Sequence, residues 1–281
     1  MTTSTPTAYE PVTSMADFGT TRDGLVQLRR RWKPTGEAHA IVLLLHGIAE
    51  HSGRYEHVGR RLADSGFDVI AIDQRGFGQS GGRRGHVDDW SQFGDDVEDQ
   101  MNELKAMGLP IVLLGHSMGG LIATRYVVDE RVQPDLLVLS GPALGAEIPR
   151  RFRIAAPLLG RIAPTLVIKE DGNPSLLSKD EAVGEVFYAD PLRVPYPTAA
   201  LGWGLMKAIG EARAGINKVT MPTLVMHGGD DRLVPANASE IFETLSNAER
   251  IVYDGLRHEI FNEAEGLEIV DEMITWINNQ L

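Results

Sequence analysis

Short, nearly continuous apolar runs recur along the chain: Ile41–Leu45, Phe67–Ile72, Ile111–Leu114, Leu136–Leu139, Thr223–Met226 and, more weakly, Arg250–Tyr253. Runs without polar alternation predict strands buried on both faces, as in a parallel sheet. Between them the period changes. Trp90, Phe93, Val97, Met101 and Leu104 follow helical spacing while Asp95, Asp96, Glu98 and Asp99 point elsewhere, which predicts an amphipathic helix lying on the sheet. Val270, Met273, Ile274, Ile277 and Leu281 repeat the pattern at the C-terminus. Strand and helix alternating in this way imply right-handed βαβ units and a mostly parallel, doubly wound α/β sheet. Ahead of the first run, Asp23-Gly24 separates Phe18-Gly-Thr-Thr from Leu25-Val-Gln-Leu and predicts a two-residue turn in an N-terminal antiparallel hairpin. Residues 1–14, rich in Thr, Ser and Pro, read as a loosely ordered lead-in.

The rhythm breaks over about seventy residues from Ala146 to Asn217. That stretch holds Pro149, Pro157, Pro164, Pro174, Pro191, Pro195 and Pro197 and no clear strand. It is too long for an ordinary connection and predicts an inserted helical subdomain over the sheet. The expected division is therefore a core from 1–145, a cap from 146–217 and the rest of the core from 218–281.

Composition narrows the function classes. Among 281 residues there is no cysteine, which excludes a disulfide framework, a thiol nucleophile and a cysteine metal site. Lys and Arg number 27 against 39 Asp and Glu, a net charge of −12, and a nucleic-acid binder would need a basic face instead. No run of eighteen apolar residues predicts a membrane span, and Met1–Glu10 carries no apolar leader, so the expectation is a cytoplasmic globular protein. One segment departs from the acidic background. Arg150-Arg-Phe-Arg-Ile-Ala-Ala-Pro-Leu-Leu-Gly-Arg-Ile162 is basic and apolar, a candidate for peripheral membrane contact through the cap.

The most informative stretch is Gly115-His-Ser117-Met-Gly119-Gly, a Gly-x-Ser-x-Gly lying after a buried run and before an apolar helix. A strand-to-helix turn of this kind lifts the serine hydroxyl above the sheet edge at the positive end of the helix. The hydroxyl needs a base, a base needs an orienting carboxylate, and the chain order in such a sheet is serine, acid, histidine. Of eight histidines only His227 and His258 follow Ser117, and His258 sits in the loop between the last strand and the last helix. His227 ends a strand and reads as a histidine bonded to backbone. The acid belongs in the loop after Thr223–Met226, where Asp230 and Asp231 are adjacent and periodicity does not choose between them. Two backbone donors are expected for an oxyanion, the N–H of Met118 after the nucleophile and the N–H of Ile48 after His46-Gly47. His46 reads as a brace for that loop.

These residues resemble the α/β-hydrolase superfamily and, within it, the monoacylglycerol lipase and lysophospholipase-like branch. His46-Gly-Ile-Ala-Glu50-His-Ser-Gly-Arg54-Tyr55 is similar to that branch's His-Gly-x-x-Glu-His-Ser-x-Arg-Tyr segment, and Asp73-Gln-Arg-Gly-Phe-Gly-Gln-Ser80 to its structural Asp-x-Arg-Gly-x-Gly-x-Ser loop. The family's acid falls in Asp-x-x-Val-Pro, which Asp231-Arg-Leu-Val-Pro235 satisfies and Asp230 does not. The resemblance implies Ser117, Asp231 and His258 as the catalytic residues, Ile48 and Met118 as oxyanion donors, no cofactor and no metal. It further implies a cap shaping an apolar acyl tunnel, and hydrolysis of monoacylglycerols or similar single-chain lipid esters through an acyl-enzyme. The alternatives left by the residues themselves are short-chain carboxylesterase, lysophospholipase, thioesterase, aminopeptidase and, from another class, a receptor-like binding protein.

Overall fold

The computed structural model describes residues 14–145, 150–169 and 172–281, with backbone alone for 150–153. The predicted lead-in therefore lies, Ser14 apart, outside the described residues, as do the first four positions of the expected cap. Along the chain run β1 (Met15–Thr20), β2 (Val26–Trp32), β3 (Ala40–Leu45), α1 (Glu56–Asp64), β4 (Phe67–Ile72), α2 (Ser91–Lys105), β5 (Ile111–His116), α3 (Met118–Val128) and β6 (Leu136–Ser140). They continue with α4 (Arg150–Ile162), α5 (Glu181–Ala189), α6 (Ala199–Ala214), β7 (Thr223–Gly228), β8 (Ala248–Tyr253) and α7 (Gly266–Gln280).

One eight-stranded sheet in the order β1-β2-β4-β3-β5-β6-β7-β8 organises the molecule. β1 pairs antiparallel with β2 and β2 antiparallel with β4, while every pair from β4 to β8 is parallel. The pleat explains why the predicted runs had to be apolar throughout. Ile41, Leu43 and Leu45 of β3 join the core on one face, with α2, α3 and α6, while Val42 and Leu44 join the core on the other, with α1 and α7. β5 divides likewise, Ile111 and Leu113 against Val112 and Leu114.

The N-terminal hairpin is present, but its turn differs from the predicted two residues. Thr21 N–H donates to Leu25 O and Gly24 N–H to Thr21 O, both at 2.9 Å, so Arg22, Asp23 and Gly24 form a three-residue loop. Gly24 takes φ +83° at its end, the left-handed position that a type I turn closing on a bulge requires. α1 has only Val58 and Leu62, four residues apart, as its main buried apolar contacts, and the pattern alone does not predict it.

Between β6 and β7 the described residues contain α4, α5 and α6 and no strand, only an isolated bridge between Val167 and Thr198. α4 and α6 pack on each other, and α6 packs on α3, so this segment rests on the sheet's C-terminal side through a helix that begins at the serine turn. Ile154, Leu158 and Ile162 of α4, at i, i+4 and i+8, are 61–70% exposed on one stripe, with Leu166 and Val167 also exposed just beyond it. Among the described residues no helix is long and apolar enough to cross a membrane.

Candidate active site

The site begins where β5 ends. Ser117 occupies the turn into α3 with φ 53° and ψ −116°, a conformation that costs of order 1–3 kcal/mol and persists only when its surroundings enforce it. They do so through backbone bonds: Ser117 N–H donates to Ser140 O at 2.9 Å, and Ser117 O accepts from Leu121 N–H and Ala143 N–H at 3.0 Å each. Close packing does the rest. A Cβ on Gly119 would lie 2.1 Å from Leu45 O, and one on Gly115 would lie 2.5 Å from Gly119 O, so neither flanking position admits a side chain.

His258 reaches this turn from the loop after β8. Its Nε2 lies 2.9 Å from Ser117 Oγ and its Nδ1 2.6 Å from Asp231 Oδ2. The structure brings Asp231, and not the adjacent Asp230, to the imidazole. Asp230 is exposed, whereas Asp231 is buried, with Oδ1 accepting from the amides of Leu233 and Val234 at 2.9 Å each. Burial would raise the Asp231 pKa, but the His258 charge, the hydrogen bonds from His227 and His258 and the Val234 amide hold it well below the usual carboxylate range. Burial would likewise lower the His258 pKa. Asp231 outweighs it by charge and hydrogen bond, with Glu259 and Glu50 adding to the effect, and the result is raised above the ordinary value. A hydroxyl bonded to an imidazole that a carboxylate orients is the arrangement that activates a serine as nucleophile.

His227 is not in the line to Ser117. Its Nε2 donates to Val234 O at 2.8 Å and lies 3.3 Å from Asp231 Oδ2, so it bonds to backbone as expected and touches the acid as well. His46 is fully buried, with Nδ1 on Gly47 O at 2.7 Å and Nε2 accepting from Gln74 N–H at 2.9 Å, which braces the loop after β3. That loop brings Gly47 against the nucleophile, where an added Cβ would sit 3.2 Å from Ser117 Cβ. Ile48 and Met118, the two residues expected to supply oxyanion donors, line the same cavity as Ser117 and His258.

The cavity measures about 330 Å³. Its walls are largely apolar, with Ala143, Leu233 and Val234 from the core and Leu177, Phe187 and Leu205 from the segment between β6 and β7. A polar cluster that the sequence motifs did not assign lies at one side. Glu50 accepts from Tyr55 Oη and Arg54 at 2.7 Å each, and Arg54 also makes a bidentate pair with Glu259 at 2.7 Å. The Arg54 guanidinium carbon lies 4.7 Å from the Phe187 ring centroid. One side chain thus ties together the loop after β3, the residue next to His258 and helix α5. Glu50, Arg54 and Tyr55 stand within the motif quoted above, but Glu259 and Phe187 carry no local signal. His116 packs tilted on His258 with ring centroids 4.8 Å apart, and burial first, then the His258 charge, pulls its pKa down to about 3. Among the described residues no group of three or more His, Cys, Asp or Glu could hold a metal ion.

Fold and residues together define the class, a serine hydrolase on the α/β-hydrolase fold. Residues 36–265 match the family described as serine aminopeptidase, S33, and the chain belongs to that family. It is 35% identical to a monoacylglycerol lipase of Mycolicibacterium smegmatis, covering 89% of this chain and 92% of that protein. It is 32% identical to the phospholipase YtpA of Bacillus subtilis, over 80% of this chain and 90% of the relative. Among solved structures, the monoacylglycerol lipase of Paleococcus ferrophilus superposes with a TM-score of 0.83 at 29% identity, covering 90% of this chain and 98% of that one.

Proposed function

We propose that the protein hydrolyses monoacylglycerols or similar single-chain lipid esters, with Ser117 as nucleophile, His258 as general base and acid, and Asp231 as the orienting carboxylate. Ser117 Oγ attacks the ester carbonyl while His258 Nε2 takes its proton. The amides of Ile48 and Met118 hold the oxyanion, the imidazolium protonates the departing alcohol, and water repeats the cycle on the acyl-enzyme. The observation that carries this reading is the unbroken hydrogen-bonded line from Ser117 through His258 to Asp231 at the base of a mainly apolar cavity. The segment 146–217 acts as the cap, since Leu177, Phe187 and Leu205 wall the space an acyl chain would fill. Relatives named as monoacylglycerol lipases favour the lipid ester over a peptide.

Rates on 1-monoacylglycerols of graded chain length, beside an aminoacyl 4-nitroanilide, test the assignment. Turnover of medium or long monoacylglycerols, abolished in Ser117→Ala, is the expected result. Activity confined to the anilide, or retained by a folded Ser117→Ala, overturns it.

The reading extends to a lipid surface. The outward stripe of Ile154, Leu158 and Ile162 beside Leu166 and Val167 is the kind of face that buries in the acyl boundary. The side chains of Arg150–Arg153 lie outside the described residues and add nothing here. Sedimentation with anionic liposomes at low salt should show binding that serine at all three stripe positions removes; no binding by the unaltered protein refutes the extension.

A further inference from the structure

We propose that Glu50 and Glu259 make the alcohol end of the cavity selective by charge, so that esters of uncharged or cationic alcohols are admitted and esters of anionic alcohols are rejected. The proposal rests on the ester-hydrolase reading above and goes beyond it in naming which headgroups are taken.

Among the described residues lining the cavity, Glu50 and Glu259 are the two carboxylates, and there is no lysine or arginine. Both are buried, at 3% and 5% exposure, where water screens a charge poorly. Burial opposes ionisation of Glu50, but its partners, the Arg54 charge first, outweigh it and lower its pKa. Glu50 takes hydrogen bonds from Gly47 N–H, Tyr55 Oη and Arg54, and Glu259 takes them from Arg54 and Asn262 Nδ2. Arg54 is one cation shared between two carboxylates, so the cluster keeps a net charge of −1. Asp231 adds another negative charge behind the imidazole. Arg193 stacks on the rings of Tyr188 and Phe187, and neither it nor Arg54 is among the described residues lining the cavity.

The carboxylates also mark which end receives the alcohol. The apolar walls are the natural place for an acyl chain. His116 and Glu259 line both the main cavity and a small adjoining void bounded by Tyr55, His57 and Asn262, so the polar side continues away from the acyl walls. That void, of about 10 Å³, holds no headgroup itself, and a headgroup at the polar side of the main cavity lies beside Glu259 and Glu50. A phosphate or sulfonate would meet like charge in a desolvated setting, and a quaternary ammonium would meet opposite charge beside aromatic rings.

The test separates charge from size by using lauroyl esters of three alcohols of similar bulk: choline, 3,3-dimethylbutan-1-ol and 2-hydroxyethanesulfonate. The expected order of kcat/KM places the choline ester at or above the neutral ester and the sulfonate ester about tenfold or more below it, tenfold being 1.4 kcal/mol. Glu259→Gln, which leaves an acceptor for Arg54, should narrow the neutral-to-sulfonate ratio about threefold by removing one charge from that wall. If that variant does not fold, Glu50→Gln reads the same ratio. A sulfonate ester hydrolysed within about threefold of the neutral one by the unaltered protein overturns the proposal, as that is under half of the expected free-energy difference. A ratio unmoved in a folded Glu→Gln variant overturns it too. Failure of all three esters together with lauroylglycerol overturns the ester-hydrolase reading itself, and is distinguishable because no charge order then appears.

Discussion

Asp231→Asn is the sharpest perturbation of the site. The carboxylate accepts from three donors, the Leu233 and Val234 amides at 2.9 Å each on Oδ1 and His258 Nδ1 at 2.6 Å on Oδ2, while His227 Nε2, bonded to Val234 O, lies 3.3 Å from Oδ2. An asparagine amide has one acceptor and one donor end, so either orientation fails. With its oxygen toward the two backbone amides, its NH₂ faces His258 Nδ1 and selects the tautomer whose Nε2 carries the proton. That Nε2 cannot accept the Ser117 proton. With its NH₂ toward the backbone, the buried Val234 N–H loses its acceptor at about 1–3 kcal/mol and the half-buried Leu233 N–H loses its own as well, which disfavours this orientation. The wrong tautomer at an oriented histidine costs about 10⁴-fold, so about 5 kcal/mol of transition-state stabilisation is expected to vanish. The assay is kcat/KM on 4-nitrophenyl laurate, with circular dichroism to show that the variant is folded. Asp230→Asn is the control: its side chain is exposed, and it should change the rate by about twofold at most. A folded Asp231→Asn retaining a tenth or more of the activity, or an equal loss in Asp230→Asn, refutes the reasoning.

Three further outcomes follow from the same geometry. The base must be neutral to act and its pKa is raised, chiefly by Asp231 against the opposing effect of burial, so activity should fall as pH drops through a midpoint above about 6.5. Glu259→Gln removes one of the charges that favour the imidazolium and should move that midpoint down; a midpoint below 6.5 in the unaltered protein contradicts this account of the base. Gly119→Ala drives a Cβ to 2.1 Å from Leu45 O and 2.6 Å from His46 O, both backbone, and should cost about 3 kcal/mol or more in denaturant unfolding. Gly210→Ala, with open space around it within α6, should instead stabilise by about 0.5–1 kcal/mol, and the opposite ordering of the two would refute the packing argument. Arg54→Ala leaves Glu50 and Glu259 buried beside each other without their shared cation and should cost about 3–5 kcal/mol. A loss under about 1 kcal/mol, the range of an exposed pair, would show that the cluster is solvated.

Much of the framework was legible along the chain because its signals are local. A strand covered on both faces must be apolar at successive positions, and each run that β3 to β7 occupy says so without reference to any other part of the molecule. Gly115, Ser117 and Gly119 announce a crowded strand-to-helix turn within five residues. Weak local signals misled or said nothing. Asp23-Gly24 marks a turn, but pairing of the flanking strands decided that the loop has three residues, and α1 carries too few apolar positions to show a period.

Tertiary structure decided what depends on residues far apart in sequence. Local pattern did not separate Asp230 from Asp231; the path of the loop after β7 buries one carboxylate against His258 and leaves the other in solvent. The outward direction of Ile154, Leu158 and Ile162 follows from how α4 sits on α6, since composition shows a stripe but not which way it faces. Arg54 and Glu259, 205 positions apart, meet only because the loop after β3 and the loop after β8 end at the same rim of the sheet. Propensity and period are set by interactions within a few residues, whereas the partner of a buried charge is chosen by chain topology. The sequence by itself therefore determined the scaffold and its nucleophile turn, and folding chose the company those side chains keep.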